Sequence, residues 1–159
     1  MFDYFDYDHP LFRPPSDAYS LIFQVSIGCS QNSCRFCGMY KMKRFRLRRT
    51  EEIFAEIDRI PLGHRSAIQR VFLGDGDGLV YPQADLIRVL DRLAETFPNL
   101  SRVGAYASPN SLKGKSLEQL RELRQRKLTI LYFGLESGDP QTLALAAKGF
   151  VPDEMLMLC

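Results

Sequence analysis

Three cysteines fall within nine positions, in the stretch Cys29-Ser-Gln-Asn-Ser-Cys34-Arg-Phe-Cys37, directly after a short apolar run. Thiolates are soft donors that favour iron–sulfur clusters, zinc and copper(I), so the residue type narrows the metal without choosing it. A structural zinc site takes four ligands, and the other candidates, His9, His64 and Cys159, lack the paired spacing of a zinc finger. Three neighbouring thiolates with no evident fourth suit a 4Fe-4S cluster with one iron left open, and an open iron is a place for a ligand to bind. Zinc and incidental thiols remain as alternatives, and a disulfide would leave one cysteine unpaired.

Two further stretches carry charge in a pattern. Gly74-Asp-Gly-Asp-Gly78 sets two carboxylates among glycines. A calcium loop is the competing reading, but the closing glutamate of an EF-hand is missing. Lys41 to Arg49 holds six cations in nine residues, with Phe45 among them. It reads as a solvated loop that partly balances the negative charge of three thiolates. A docking surface for an acidic electron donor, an anionic substrate or RNA is the sharper alternative.

These stretches need elements to position them. Leu21 to Ile27 is short, β-branched and apolar, and reads as a first strand in a sheet covered on both faces. Thr50 to Ile60 begins with a capping residue and early carboxylates, puts Ile53, Ile57 and Ile60 on one face, and stops at Pro61, which predicts a helix. The alternation repeats: Arg70–Leu73, Arg102–Tyr106 and Leu128–Leu135 as strands, Pro82–Phe97 and Ser116–Arg126 as helices, and a fourth helix opening at Asp139-Pro140. Strands spaced by helices give parallel βα units. The expected class is therefore α/β, a parallel partial barrel of about four βα units, with its chemistry at the strand carboxyl ends. The cysteine loop, the Gly74–Gly78 turn, Ala107-Ser-Pro-Asn110 and Glu136-Ser-Gly138 all follow strands.

Composition bounds the class. The chain has 159 residues, 45% of them apolar and 25% charged, with a net charge of +2. That excludes collagen-like and intrinsically disordered chains and gives no global field towards nucleic acid. No stretch approaches the roughly 18 apolar residues of a membrane span, and no basic-then-apolar leader opens the chain, so a soluble cytoplasmic protein is expected. Residues 1–20 read as an extended lead-in, rich in aromatics and aspartate and then in proline.

With Phe36 just before the last cysteine, the loop resembles the cluster loop of radical S-adenosylmethionine enzymes. Arg13-Pro-Pro-Ser16, Gln24-Val25, Gly28-Cys29-Ser30, Asn32, Cys34, Phe36-Cys37 and Met39-Tyr40 together resemble the coproporphyrinogen-oxidase-like branch. The resemblance runs from about Pro10 to about Gly149. One departure is the four residues between the first two cysteines, where the superfamily usually has three.

The resemblance implies an oxidoreductase in which Cys29, Cys34 and Cys37 hold a 4Fe-4S cluster whose open iron chelates S-adenosylmethionine. Reductive cleavage of that cofactor would give methionine and a 5′-deoxyadenosyl radical. By the same resemblance Phe36 packs on the adenine or anchors the loop into the barrel. Gly76 and Asp77 face the methionine ammonium, Glu136 accepts from the ribose hydroxyls, and Lys148 pairs with the methionine carboxylate or is a solvated helix-end lysine. Ser108 stands where relatives carry a ribose-binding carboxylate. An electron donor such as a flavodoxin or ferredoxin is implied, and the substrate is open. Residues 21–159 would be the N-terminal part of the domain, because such a barrel takes about 200 residues or more and the repeat ends after four strands. Truncation is preferred over a longer enzyme or a barrel completed by another chain. The rivals are a non-catalytic iron–sulfur or zinc-binding module and an RNA-modifying enzyme of the same chemistry.

Overall fold

The computed structural model describes residues 5–158. Phe2, Asp3 and Tyr4 of the lead-in, and Cys159 among the alternative zinc ligands, lie outside the described residues. Four strands, β1 (Leu21–Gln24), β4 (Arg70–Gly74), β5 (Arg102–Ala107) and β6 (Leu128–Phe133), form one sheet in the order β1-β4-β5-β6. All its pairings are parallel. Helices α1 (Thr50–Arg59), α3 (Gln83–Thr96) and α5 (Leu117–Gln125) connect the strands, as the βα rhythm predicts. The expected α/β class holds, and four parallel strands fit a partial barrel.

The helices form where local chemistry dictates. In α1, Ile53 and Ile57 are wholly buried one turn apart, and Ile60 closes the face just past the last turn. Thr50 is not the cap. It is the first helical residue, buried with its hydroxyl 3.2 Å from that of Tyr81, while Glu52 reaches back to accept from the Arg49 N–H. Leu86, Val89, Leu90 and Leu93 of α3 pack with Phe23, Val71, Leu73 and Val103 of the strands into one core. Burying each such side chain contributes about 1.5–3 kcal/mol. Asp139 caps α6 (Pro140–Leu145), accepting from Thr142 N–H at 2.7 Å with Pro140 in the first turn, as expected.

The first strand differs from expectation. It is not one run to Ile27: the Val25 N–H bonds Gly74 O at 2.7 Å in the main sheet, but Val25 O accepts from Arg48 N–H at 3.0 Å. Val25 therefore hands the chain to β2 (Ser26–Ile27), which pairs antiparallel with β3 (Arg46–Leu47). Two of the six cations of the basic run, Lys43 and Arg48, are thus not part of a solvated loop. Lys43 is buried, and Arg48 forms a two-pronged bond to Glu56 at 2.7 and 3.0 Å. Short helices α2 (Leu62–Arg65), α4 (Pro109–Lys113) and α7 (Pro152–Leu158) were not evident from periodicity.

Nor is residues 5–20 merely an extended lead-in. Phe5 is buried against Phe23 with ring centroids 5.2 Å apart, and a 3-10 turn at Pro15–Asp17 lies across the other face of the sheet. There the wholly buried Asp17 accepts from Ser20 at 2.5 Å, Arg102 at 3.0 Å and the Tyr132 hydroxyl. Gly104 makes room for it: a Cβ there would stand 3.2 Å from Asp17 Oδ2.

Candidate functional site

The cysteine loop begins where β2 ends and is held on two sides. Towards β4, Gly28 N–H donates to Asp75 Oδ2 at 2.9 Å, Gly76 N–H donates to Gly28 O at 2.9 Å, and Ser30 Oγ donates to Asp77 Oδ2 at 2.5 Å. Towards the end of α6, Arg35 N–H donates to Ala146 O at 2.9 Å, and the Gln31 amide donates to Lys148 O. Asn32 braces the loop internally, its amide donating to Tyr40 O at 2.9 Å. Gly28 itself takes φ +74°, a left-handed conformation at no steric cost for glycine.

The loop walls a cavity of about 360 Å³ at the carboxyl ends of the strands. Its lining brings together Cys29, Cys34, Cys37, Phe36, Gly76, Ser108, Glu136 and Lys148. Eight residues singled out from sequence, drawn from the loops after four different strands and from beyond α6, therefore share one space. Its size lies within the range of small-molecule sites. Asp77 is the exception. It is wholly buried behind the wall rather than lining it, with Oδ2 on Ser30 and Oδ1 without a hydrogen-bond partner among the described residues.

The thiols are free, and Cys29 Sγ lies 3.8 Å from Gly76 O. Burial pushes the Cys29 thiol up to about 11; the Gln31 backbone bond opposes it, and the charges of Asp77, Cys34 and Cys37 add smaller upward contributions. Among the described residues, no three His, Cys, Asp or Glu side chains converge closely enough to hold a single metal ion. A cube of iron and sulfide asks for something different, one thiolate per iron, and three soft donors along one cavity wall suit that demand. Gly76 supports the fit. A Cβ there would lie 2.7 Å from Cys29 Cβ and 2.8 Å from the Tyr40 ring, so only glycine allows the turn to sit against the loop.

Lys148 and Glu136 meet each other, with Nζ 2.9 Å from Oε1. The lysine is thus not a solvated helix end: its Nζ also stands 5.5 Å from the centre of the Phe36 ring. Glu136 adopts φ +59°, a left-handed conformation that costs a non-glycine residue about 1–2 kcal/mol. Gly134 leaves space for the pair, since a Cβ would fall 2.5 Å from Glu136 Oε1. Phe36 is 55% exposed, so it lines the cavity without anchoring the loop in the core. Ser108 lines the cavity, yet its hydroxyl caps α4, accepting from Ser111 N–H at 3.1 Å.

Asp75 and Asp77 bond separate partners: Asp75 accepts from the Gln24 amide and the Gly28 N–H, and Asp77 accepts from Ser30. Sequence reasoning gave no role to Tyr40, Tyr106 and Tyr132, which also line the cavity. Alternation along β5 and β6 puts Tyr106 and Tyr132 on the face opposite the helix-covered core, a period-two signal that was available.

The chain matches the Radical SAM superfamily over residues 23–156. No match was found among curated proteins. Among solved structures it is similar to the cobalamin-dependent S-adenosylmethionine radical enzyme OxsB with aqua-cobalamin and S-adenosylmethionine bound, at 18% identity and a TM-score of 0.69. The alignment covers 87% of this chain and 21% of that one. The same enzyme with aqua-cobalamin bound gives 19% identity and a TM-score of 0.65, again over 87% of this chain and 21% of that one. The chain thus spans about a fifth of the length of these structures, and at such identity the likeness is one of fold.

Proposed function

The chain belongs to the radical SAM superfamily, and from that premise we propose that Cys29, Cys34 and Cys37 hold a 4Fe-4S cluster at which S-adenosylmethionine is bound and reductively cleaved. The observation that carries this reading is the shared cavity, in which three thiols, a half-exposed phenylalanine and a carboxylate–ammonium pair face one another. Held by Cys29, Cys34 and Cys37, such a cluster would supply the electron for reductive cleavage of the sulfonium carbon–sulfur bond.

The chain's own residues bind and orient. The Gly76 carbonyl, in reach of Cys29 Sγ, and the unpaired Oδ1 of the buried Asp77 set negative potential behind the loop, suited to the methionine ammonium. Lys148 offers the carboxylate a single charged donor, and Glu136 offers the ribose hydroxyls an acceptor. Both must first loosen their hold on each other, so ligand binding exchanges one ion pair for two new contacts. Phe36 presents an exposed ring face for the adenine.

We assign the chain to the coproporphyrinogen-oxidase-like branch on its motifs. The substrate stays open: Tyr106-Ala107-Ser108 stands where coproporphyrinogen-oxidase relatives carry a ribose-binding carboxylate, and the Ser108 hydroxyl accepts from Ser111 N–H as a helix cap. A cytoplasmic setting, where thiols stay reduced, and a flavodoxin- or ferredoxin-like donor complete the proposal. No helix among the described residues is long and apolar enough to cross a membrane. The test is anaerobic reconstitution with iron and sulfide, then dithionite and S-adenosylmethionine, following 5′-deoxyadenosine. Product from the wild-type chain and none from Cys34→Ala supports the proposal. Equal product from both, or none from the wild type, overturns it.

A further inference from the structure

Tyr40 is fixed more firmly than a cavity wall requires. Its ring edge packs on Gly76 beside Cys29, Phe12 meets it edge-on at 5.5 Å, and its carbonyl accepts from Asn32. The residue is 3% exposed, and its hydroxyl is buried without a hydrogen-bond partner among the described residues. A buried hydroxyl left unpaired costs about 1–3 kcal/mol. Phenylalanine would fill the same volume without that cost, so the oxygen is best understood through a partner that arrives with a bound group.

We propose that the Tyr40 hydroxyl donates a hydrogen bond to a sulfur of the iron–sulfur group held by Cys29 and Cys37, and thereby makes that group easier to reduce. The inference rests on the cluster assignment above and deepens it. Three points narrow the acceptor. The phenol lines the same cavity as the three thiols, and its ring and the Cys29 Cβ crowd the same point above Gly76. A tyrosine phenol carries its proton at neutral pH, so the hydroxyl can act as a donor. The cavity's carboxylate, Glu136, is already engaged by Lys148, whereas thiolate and sulfide sulfurs are electron-rich acceptors. A donor to such a sulfur draws off negative charge and favours the reduced state.

The test compares the reconstituted full chain with Tyr40→Phe, which removes one oxygen that has no hydrogen-bond partner among the described residues. Expected results are equal iron and sulfide content, a midpoint potential shifted to more negative values in the variant, and an exchangeable-deuteron hyperfine coupling in the reduced wild-type cluster that the variant lacks. An unchanged potential, or no exchangeable coupling in the wild type, overturns the inference while leaving the cluster assignment intact. Weaker S-adenosylmethionine binding at unchanged potential also overturns it, by giving the hydroxyl to the nucleotide. A wild-type chain that takes up no cluster overturns the assignment itself, and this inference with it.

Discussion

Lys43 Nζ lies 2.9 Å from Asp75 Oδ2, with the lysine side chain 3% exposed and the aspartate side chain fully buried. The pair links the basic run to the β4 turn, and the same carboxylate accepts from Gln24 and from the Gly28 N–H just before Cys29. Lys43 also reaches the lead-in through Asp8. A cation that looks like surface charge in sequence is therefore the bolt between three segments that must meet for the cysteine loop to hold its shape.

Lys43→Met leaves Asp75 buried and uncompensated, an expected loss of about 3–5 kcal/mol. The double change with Asp75→Asn recovers part of it, because the amide oxygen still accepts from Gly28. Urea unfolding of the two single variants and the double variant checks this, and additive losses would contradict the pairing.

Gly76→Ala forces a methyl group between Cys29 and the Tyr40 ring at less than 3 Å from each. The expected destabilisation is about 1–3 kcal/mol, with reduced iron uptake on reconstitution. Unchanged unfolding and full iron content would show that the turn does not pack against the loop.

Lys148→Ala removes the ammonium proposed for the methionine carboxylate and frees Glu136. S-adenosylmethionine affinity is expected to fall about tenfold, near 1.4 kcal/mol. Lys148→Arg keeps the charge and should retain most of the binding. Calorimetric titration of both variants decides, and equal affinity for Lys148→Ala and the wild type would remove this role.

In the metal-free chain, burial raises Cys29 to about 11 and Tyr106 to about 12, each above its unfolded value. The folded chain then keeps protons that the unfolded chain releases. Both contributions to stability are present below about pH 9 and are lost as pH rises, from about pH 9 to 11 for the thiol and pH 10 to 12 for the phenol. Urea midpoints at pH 8 and pH 10.5 should fall in that order.

The βα alternation was legible because each strand is a short apolar run and each helix a clear stripe, as Ile53–Ile57 and Leu86–Leu93 illustrate. The gathering of the cysteines with Gly76, Glu136 and Lys148 was legible too, since strand ends of a parallel sheet converge. Tertiary pairing was not. Whether Lys43 is buried depends on Asp75, 32 residues away, and whether Glu136 is free depends on Lys148 reaching it through the chain's turn after α6. Short elements such as β3 and α4 arise from single partners and caps, and no periodicity announces them.

The most direct measurement is the electron paramagnetic resonance spectrum of the anaerobically reconstituted, reduced chain with and without S-adenosylmethionine, alongside iron and sulfide counts. About four irons per chain and a signal that changes on adding the sulfonium compound are expected, with both lost in Cys34→Ala. A colourless chain carrying one zinc, or a cluster signal indifferent to S-adenosylmethionine, would contradict the account.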